Sequence, residues 1–361
     1  MAYQLLMQTL YLKHPRRWPV LGERAAFDCL TRQDVLDYHA SRYVPNNVVL
    51  SIAGDVDAAE ILSHLELLVE DLKSRPLNRE PIPHEPHQFG SRRVRKEFAV
   101  PYSKLHLAWR LPCSAHPDTP ALSALSSILG GGRSARFYEK FHDRLGLVYS
   151  IEVHSNQSET DEGAFTISMD VDRAQRDKVR DLVLQELRNL AEEDFTEDLK
   201  RVCKQTRVSR LRRRSSASGV ASEMGADWFG SRNLNLSSEW QEAIERVTTE
   251  DLHRVCSTWL SSPNVTEVSL DPPGSNAGDE ERASASAGTA LSEHVLGNGM
   301  KVVIREDHRL PLAYACMAFK AGCRAENEHD AGVTDLMSEC LLKGTSTRSA
   351  ADIARFLEDI G

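Results

Sequence analysis

The stretch that decides the fold is LGNGMKVVIREDHRLPLAYACMAFKAGCRAENEHDAGVTDLMSECLLKGTSTRSAADIARFLEDIG, residues 296–361. Three short phrases punctuate it in order: LGNGMKV, then AGCRAE, then KGT. An apolar run ends at AGCRAE, which is typical of a strand. A helical segment separates AGCRAE from KGT, and a second one ends at the final IG. The stretch therefore predicts the start of a domain that mixes strands and helices.

This stretch resembles, nearly phrase by phrase, the opening of a domain of the pitrilysin/insulinase family of zinc metallopeptidases. The family's helix after AG-x-R-x-E carries the inverted zinc motif H-x-x-E-H, in which two imidazoles bind zinc and the glutamate deprotonates the metal-bound water. The matching segment here is GVTDLMSECLLKGT. It has Asp335 and Glu339 at the histidine positions and Ser338 at the glutamate position. The resemblance thus implies a degenerate unit: we expect no metal in this chain, and zinc only in its parent protein.

Two interpretations of the acids on that helix stay open. Asp335 and Glu339 are four residues apart, so they share a helix face and could hold a hard cation. The simpler interpretation, which we favour, is that they are two solvated surface acids.

The amino-terminal part resembles a later segment of the same family unit. HPRRWPVLGE (14–23) and LTRQDVLDYHASRYVPNNVVLSIAGDVD (30–57) match phrases that the family places downstream of its zinc helix. Thr31 is expected to cap a helix, and VVLSIAG (48–54) has the composition of a strand. We therefore expect the chain to begin inside a first unit, after its active site, and to stop inside a second. Contacts with the missing parts of the same parent chain follow from this expectation.

The central part resembles the family's second αβ domain, through SILGGGRSARFYEKFHDRLGLVYSIEV (127–153). Strands are predicted near 104–112, 147–155 and 163–171, with helices over 118–129, 134–144 and 173–192, a long helix capped by Thr196, and a last strand after Asn264. The family often carries an Arg and a Tyr seven residues apart that contact the substrate. Tyr149 matches the Tyr, but His142 replaces the Arg and lacks its permanent charge and planar fork. The alternative is that Tyr149 is an ordinary half-buried strand residue.

Composition divides the chain into three parts, and the order of strands and helices suggests an α+β class. The resemblance implies that these parts are repeated αβ sandwich domains of the mitochondrial-processing-peptidase-like type. Residues 1–73 would be the carboxyl-terminal part of a first αβ domain, 94–272 a complete second domain, and 291–361 the amino-terminal part of a third. Proline-rich residues 74–93 and Gly/Ser/acid-rich residues 273–290 are expected to be linkers. LTRQDVLDYHASRYVPNNV and VTTEDLHRVCSTWLSSPNV share a threonine, an aspartate, an asparagine and a valine at one offset. This echo suggests that both domains end with the same helix–strand unit.

The bulk properties exclude several classes of function. The net charge of −9 argues against a nucleic-acid partner, whose phosphates favour a basic surface. The arginines of RVSRLRRR (207–214) follow an acidic run, so a mixed-charge helix face is expected. We find no membrane-spanning segment and no signal peptide. A soluble protein is expected, with the compartment open and the bacterial periplasm as one candidate.

Other motifs carry little functional weight. The 7 scattered cysteines contain no CxxC pair and predict neither a disulfide framework nor a zinc ribbon. HEPH (84–87) has a proline that prevents a helical ligand face, so a metal site is not expected there. The glycines 130–132 lack the spacing of a phosphate loop and are expected to end a helix where the backbone passes close to a substrate or a neighbouring domain.

The family resemblance implies a zinc-dependent endopeptidase that hydrolyses peptides or unfolded polypeptides in a two-half chamber, with the substrate added as a strand to a sheet edge. This chain alone is expected to be inactive, because it lacks the metal site. The competing hypothesis is a non-catalytic scaffold or binding subunit, since some members of the family keep the fold without peptidase activity. The residues that would decide between them lie upstream of Met1.

Overall fold

The computed structural model describes residues 1–77, 81–157, 162–260, 263–273, 291–305, 316–319, 326, 332–341, 343–350 and 352–353. They divide into two compact units, Met1–Asp307 and His308–Gly361. The helices are α1 Ala2–Leu10, α2 Arg24–Phe27, α3 Arg32–Arg42, α4 Ala58–Val69, α5 Thr119–Gly130, α6 Arg176–Asn189, α7 Thr196–Arg214, α8 Ala217–Ser231, α9 Leu236–Glu245, α10 Thr249–Val255 and α11 Val333–Cys340, with π-helical segments at Tyr138–Arg144 and Cys256–Leu260. The strands are β1 Arg92–Glu97, β2 Ser103–Leu111, β3 Val148–Asn156, β4 Gly163–Val171, β5 Thr266–Asp271, β6 Leu291–Val295 and β7 Lys301–Arg305.

A five-stranded mixed sheet organises the first unit. Its strand order is β1-β5-β2-β4-β3. β2 runs antiparallel to both β4 and β5, and β3 runs antiparallel to β4, whereas β1 lies parallel to β5. Helices combined with a mixed sheet confirm the α+β class predicted from the sequence.

The main hydrophobic core lies between one face of this sheet and the helices α5, α6, α7 and α10. Alternate residues of the strands point into it, as the two-residue period of a strand requires. Fully buried side chains such as Trp109, Phe165 and Ile167 occupy its centre. The strand contribution to this core comprises Leu105, Leu107, Trp109, Leu111, Val148, Ile151, Val153, Phe165, Ile167, Met169 and Val171.

The opposite face of the sheet is covered in part by α1. Leu6, Leu10 and Tyr11 are fully buried there, against Ala108 and Val268 of the sheet. Burial raises the pKa of Tyr11 to about 12. The Tyr11 hydroxyl donates to the backbone carbonyl of Gly163 at 2.9 Å, which ties the end of α1 to the start of β4.

Residues 81–92 fasten α1 in place through polar contacts. The carboxylate of Glu85, only 7% exposed, accepts hydrogen bonds from the backbone N–H groups of Leu12, Lys13 and His14 at 2.6, 2.8 and 2.9 Å. The guanidinium of Arg92 donates to the carbonyls of the last two residues preceding Tyr11, at 2.9 and 2.8 Å. Glu85 of HEPH therefore accepts hydrogen bonds from the three backbone N–H groups that follow the end of α1.

The segment 15–77 is far more exposed than the central fold. Every residue of α3 and α4 is at least partly exposed, including apolar side chains such as Val35, Leu67 and Leu68. The strand predicted at 48–54 is wrong: these residues belong to no strand among those described. The Ser51 hydroxyl instead donates to the carbonyl of Ala221 on α8 at 2.7 Å. The segment therefore lies against a helix, and a helix offers no free backbone groups with which a strand could pair.

The predicted helix caps have mixed outcomes. Thr31 and Thr248 both form capping boxes with the aspartate three residues later, as the internal echo suggests. The predicted cap at Thr196 is wrong, because Thr196 is already the first residue of α7. Its N–H and hydroxyl both donate to Asp194, at 3.0 and 2.7 Å, and this carboxylate supplies the cap.

The three consecutive glycines have a packing role inside the domain. Gly130 ends α5, and a Cβ atom built on it would lie 2.5 Å from the backbone nitrogen of Val153 on β3. Gly132 has φ +126°, which favours glycine. The close approach predicted for these glycines therefore involves a strand of their own domain, and no other residue type fits where α5 meets β3.

The hairpin β6–β7 is built on the LGNG phrase. The N–H of Gly299 donates to the carbonyl of Leu296 at 2.8 Å, with Gly299 at φ +85°. The N–H of Leu296 donates to the carbonyl of Met300 at 2.9 Å. Asn298 accepts from the N–H of Met300 at 3.1 Å. Asn-Gly dipeptides favour such hairpin turns because they tolerate positive φ.

In the second unit, α11 has a carboxylate cap at its start. Glu326 accepts from the N–H groups of Gly332 and Thr334 at 2.8 and 2.9 Å. Hydrogen bonds from Thr334 and Gly332 hold the pKa of Glu326 below its usual range. The glutamate of the AGCRAE phrase therefore orients the helix on which the family places its zinc motif.

Candidate functional site

The polar half of the sheet face opposite the main core forms the principal candidate site. Strands β2, β4 and β3 place their side chains there in rows fixed by the register. One row holds His106, Ser168 and Glu152, and a neighbouring row holds Lys104, Asp170 and Ser150. A cavity of about 450 Å³ lies over these rows. It is lined by Tyr3, Lys104, His106, Ser150, Glu152, His154, Thr166, Ser168, Met169 and Asp170.

Two cross-strand contacts set the charges in this cavity. The Lys104 ammonium lies 3.0 Å from Asp170, so these two charges offset each other. His106 Nδ1 is 2.8 Å from the hydroxyl of Ser168. Burial lowers the pKa of His106 to about 4, which makes the imidazole neutral at neutral pH.

The remaining groups leave the cavity rich in hydrogen-bond acceptors. Glu152 is 69% exposed in its side chain and lies 3.5 Å from His154 Nε2, at the limit of a hydrogen bond. His106 Nε2 is buried and has no hydrogen-bond partner among the described residues. Since Lys104 is already paired with Asp170, Glu152 is the lining carboxylate that has no lysine or arginine partner among the described residues.

The structure places His142 and Tyr149 in different surroundings. His142, on the π-helical segment, stacks on Tyr138 with ring centroids 4.4 Å apart, and its Nδ1 lies 2.7 Å from Asp143. Tyr149, on β3, is 45% exposed and packs against Tyr102 at 3.9 Å.

The Tyr149 hydroxyl donates to Asp172 at 3.0 Å, so its polar end is engaged within the domain. These contacts account for both side chains without a ligand. The role in substrate contact stays a prediction.

The positions predicted to correspond to the zinc motif lie on α11. Asp335 is exposed, and the Ser338 hydroxyl donates to the Asp335 carbonyl at 2.8 Å. The side chain of Glu339 lies outside the described residues. Within the described residues there is no group of three or more His, Cys, Asp or Glu side chains that could hold a metal ion. The described residues of α11 therefore do not fit a zinc site: the glutamate position is a serine whose hydroxyl bonds within the helix.

The basic run on α7 is paired with acids. Arg210 and Arg214 both contact Glu223, at 3.0 and 2.7 Å, and Arg207 contacts Glu245 at 2.8 Å. This pairing confirms the mixed-charge surface expected for RVSRLRRR.

The polar rows of the sheet were not identified from the sequence, although a signal exists. KLHLAWRL alternates charged or polar residues with apolar ones, and the polar set is Lys104, His106 and Arg110. Such alternation indicates a strand that has one face buried and the other exposed to solvent. The assembly of a site also depends on which strands lie side by side, and this order is not readable from local patterns.

Two family models match this chain. The model described as the peptidase M16 inactive domain matches residues 30–205, and the model described as insulinase, peptidase family M16, matches residues 301–361. The first match includes the phrases 30–57 and 127–153, and the second covers residues 301–361 of the stretch 296–361.

Curated relatives include zinc proteases from bacteria. The chain is 24% identical over 280 residues to zinc protease PqqE of Helicobacter pylori, covering 75% of this chain and 62% of the relative. It is 23% identical over 274 residues to an uncharacterized zinc protease of Rickettsia felis, covering 73% and 63%. The chain thus spans somewhat less than two thirds of the length of these relatives.

Solved structures share the fold. A protease from Helicobacter pylori superposes with a TM-score of 0.66 at 25% identity, covering 75% of this chain and 67% of that one. A peptidase M16 inactive domain from Pseudomonas fluorescens gives 0.67 at 21% identity, covering 76% and 65%. Among the described residues, no helix has the length and apolar character that a bilayer crossing requires.

Proposed function

Because the chain belongs to the M16 family of insulinase-type peptidases, we propose that it contributes a non-metal part of the chamber in which a longer parent protein hydrolyses peptides or unfolded polypeptides. The zinc of that parent would be held by another unit, upstream of Met1. This chain would supply sheet surface and a strand edge against which an extended substrate lies.

The observation that carries this proposal is the combination of two matches along one chain. The inactive-domain model covers residues 30–205, and an insulinase model covers 301–361. In the motif alignment that we propose, Asp335 and Ser338 take the first histidine and the glutamate positions, and neither is a usual zinc ligand or general base at such a position. Both matched parts nevertheless keep features of the family fold, including the capped helix that would carry the motif.

The exposed apolar side chains of α3 and α4 support the proposed domain division. Residues 1–73 would complete an αβ domain with upstream parts of the parent chain, and Leu67 and Leu68 would be buried in that domain. They are 72% and 78% exposed here. Neighbouring large apolar side chains exposed on one helix are typical of a surface that a partner covers. By the same reasoning, residues 291–361 would be the amino-terminal part of a third domain.

A non-catalytic scaffold is the second candidate, because the residues at positions 335, 338 and 339 are equally expected in a parent that has lost its zinc motif throughout. A parent whose upstream unit is equally degenerate would keep the fold and bind polypeptides without cleaving them. The two candidates therefore differ in the upstream unit and not in this chain.

The test is a cleavage assay on the purified parent protein. We expect cleavage of a quenched, unfolded casein substrate, loss of the activity with 1,10-phenanthroline, and recovery with added zinc. The chain of residues 1–361, assayed alone at the same concentration, should show no chelator-sensitive cleavage. A folded parent that binds casein without cleaving it would overturn the peptidase proposal in favour of the scaffold.

A further inference from the structure

The cavity on the polar sheet face lies beside a strand that ends the sheet. In the order β1-β5-β2-β4-β3, the last strand pairs on one side with β4. A terminal strand presents backbone N–H and C=O groups to which an extended peptide can pair. Glu152 lies on this strand, and its side chain lines the cavity.

We propose that this cavity is a subsite for a basic side chain, arginine or lysine, of a peptide strand that pairs with the outer edge of β3. The inference rests on the proposed function and adds a specificity to it. A residue directly across from Glu152 on an added strand would have its Cβ about 5 Å from the Cβ of Glu152. Opposite charges at such positions stabilise the pairing of two strands.

The charges of the lining groups favour a cation over an anion. Lys104 is offset by Asp170 at 3.0 Å, and His106 is neutral, so Glu152 is the charged lining side chain left without a lysine or arginine partner among the described residues. An acidic guest would meet like charge at Glu152, which is destabilising. A neutral guest would gain no ion pair.

The hydroxyl and imidazole groups suit a guest with several N–H donors. Ser150, Thr166 and Ser168 line the cavity with oxygens that can accept hydrogen bonds. If Nδ1 of His106 carries the proton and donates to Ser168, Nε2 becomes an acceptor, and it has no partner among the described residues. A guanidinium has five N–H donors and can bond to several of these groups at once.

The experiment measures binding of fluorescein-labelled peptides to the 361-residue chain by fluorescence anisotropy. Three peptides of one strand-forming background carry Arg, Gln or Glu at the central position. We expect the Arg peptide to bind about fivefold more tightly than the Gln peptide, and the Glu peptide most weakly. The difference should shrink when sodium chloride is raised, because salt screens an exposed pair.

Two variants locate the effect. Glu152→Gln should make the Arg and Gln peptides bind equally. Glu66→Gln removes the same charge from an exposed glutamate of α4 that does not line the cavity, and it should keep the Arg preference. Both variants should unfold thermally at the same midpoint as the wild type, which would show that the substitutions leave the fold unchanged.

Distinct outcomes separate this subsite from the proposed function. Arg and Gln peptides that bind within twofold of each other overturn the subsite and leave strand binding intact. A preference that persists in Glu152→Gln also overturns it. Failure of all three peptides to bind overturns the subsite too, while chelator-sensitive cleavage by the parent would still support the peptidase function.

Discussion

Replacing Glu85 should detach α1 from the sheet and destabilise the chain. Its carboxylate accepts three backbone hydrogen bonds from residues 12–14, at 2.6 to 2.9 Å, and is 7% exposed. A hydrogen bond to a charged group contributes about 1.5–3 kcal/mol, and buried N–H groups left unpaired add a similar cost. Independent summation would therefore exceed about 5 kcal/mol for Glu85→Ala.

The loss has a ceiling, because the chain can release α1 and hydrate the three N–H groups. Release exposes Leu6, Leu10 and Tyr11, which are fully buried, at about 1.5–3 kcal/mol each. Part of that cost is offset by the conformational freedom that the released residues gain. We therefore expect Glu85→Ala to lower the free energy of unfolding by about 3 kcal/mol.

Urea unfolding followed by circular dichroism measures this loss, and hydrogen exchange locates it. Amides of α1 should exchange faster in Glu85→Ala, while those of β2 and β4 change only with global stability. Glu70→Ala is the control, since Glu70 is an exposed residue after α4, and it should stay within about 0.5 kcal/mol of wild type.

Glu85→Gln separates charge from hydrogen bonding. Its amide oxygen can replace the oxygen bonded to Lys13 and His14, but its amide nitrogen would then face the N–H of Leu12. It should cost about 1–3 kcal/mol, less than Glu85→Ala. Wild-type stability and α1 protection in Glu85→Ala would refute the reasoning.

The same carboxylate predicts an acid sensitivity. Burial alone would raise the pKa of Glu85, but the three backbone hydrogen bonds and the charge of Arg110 outweigh it and hold the pKa below its usual range. The folded-state pKa is thus lower than the unfolded one. The stabilisation is complete above the unfolded pKa, about 4.3, and is lost as the pH falls through the folded value. Stability should therefore depend less on pH below about 4.5 in Glu85→Ala than in wild type.

Three further changes test other parts of the structure. Gly130→Ala should lower the free energy of unfolding by about 1–3 kcal/mol, because the new Cβ meets Val153 at 2.5 Å; a midpoint in urea equal to wild type would contradict this packing. Burial raises the pKa of the Cys256 thiol to about 12, whereas Cys29 is exposed. At pH 8 a thiol reagent should therefore modify Cys29 and should not modify Cys256 until the protein unfolds, and peptide mass mapping would measure both. Tyr149→Phe should change kcat/KM of the parent less than about threefold, against the roughly 10²-fold of a lost transition-state donor; a loss near the larger value would assign Tyr149 to the substrate.

The family and the fold class could be predicted because they depend on local phrases. LGNG needs positive φ at a hairpin turn, Glu326 caps α11, and Gly130 allows α5 to touch β3. Each of these requirements involves one residue and its immediate surroundings. The polar cavity could not be predicted, because His106, Ser168 and Glu152 are separated by up to 62 residues and meet only through the strand order.

The two copies of the internal echo show why a strand cannot be predicted from composition alone. Thr31 and Thr248 make the same capping box, so the local sequence is sufficient for the start of each helix. Beyond the helix the copies diverge. Residues 266–271 become β5 because they lie between β1 and β2, which satisfy both edges of the backbone. Residues 48–54 have no such neighbours among the described residues, and Ser51 binds a helix carbonyl instead. A strand forms only where neighbouring strands can pair with its backbone. The capped helix can therefore be predicted from the segment itself, whereas the strand depends on the domain around it.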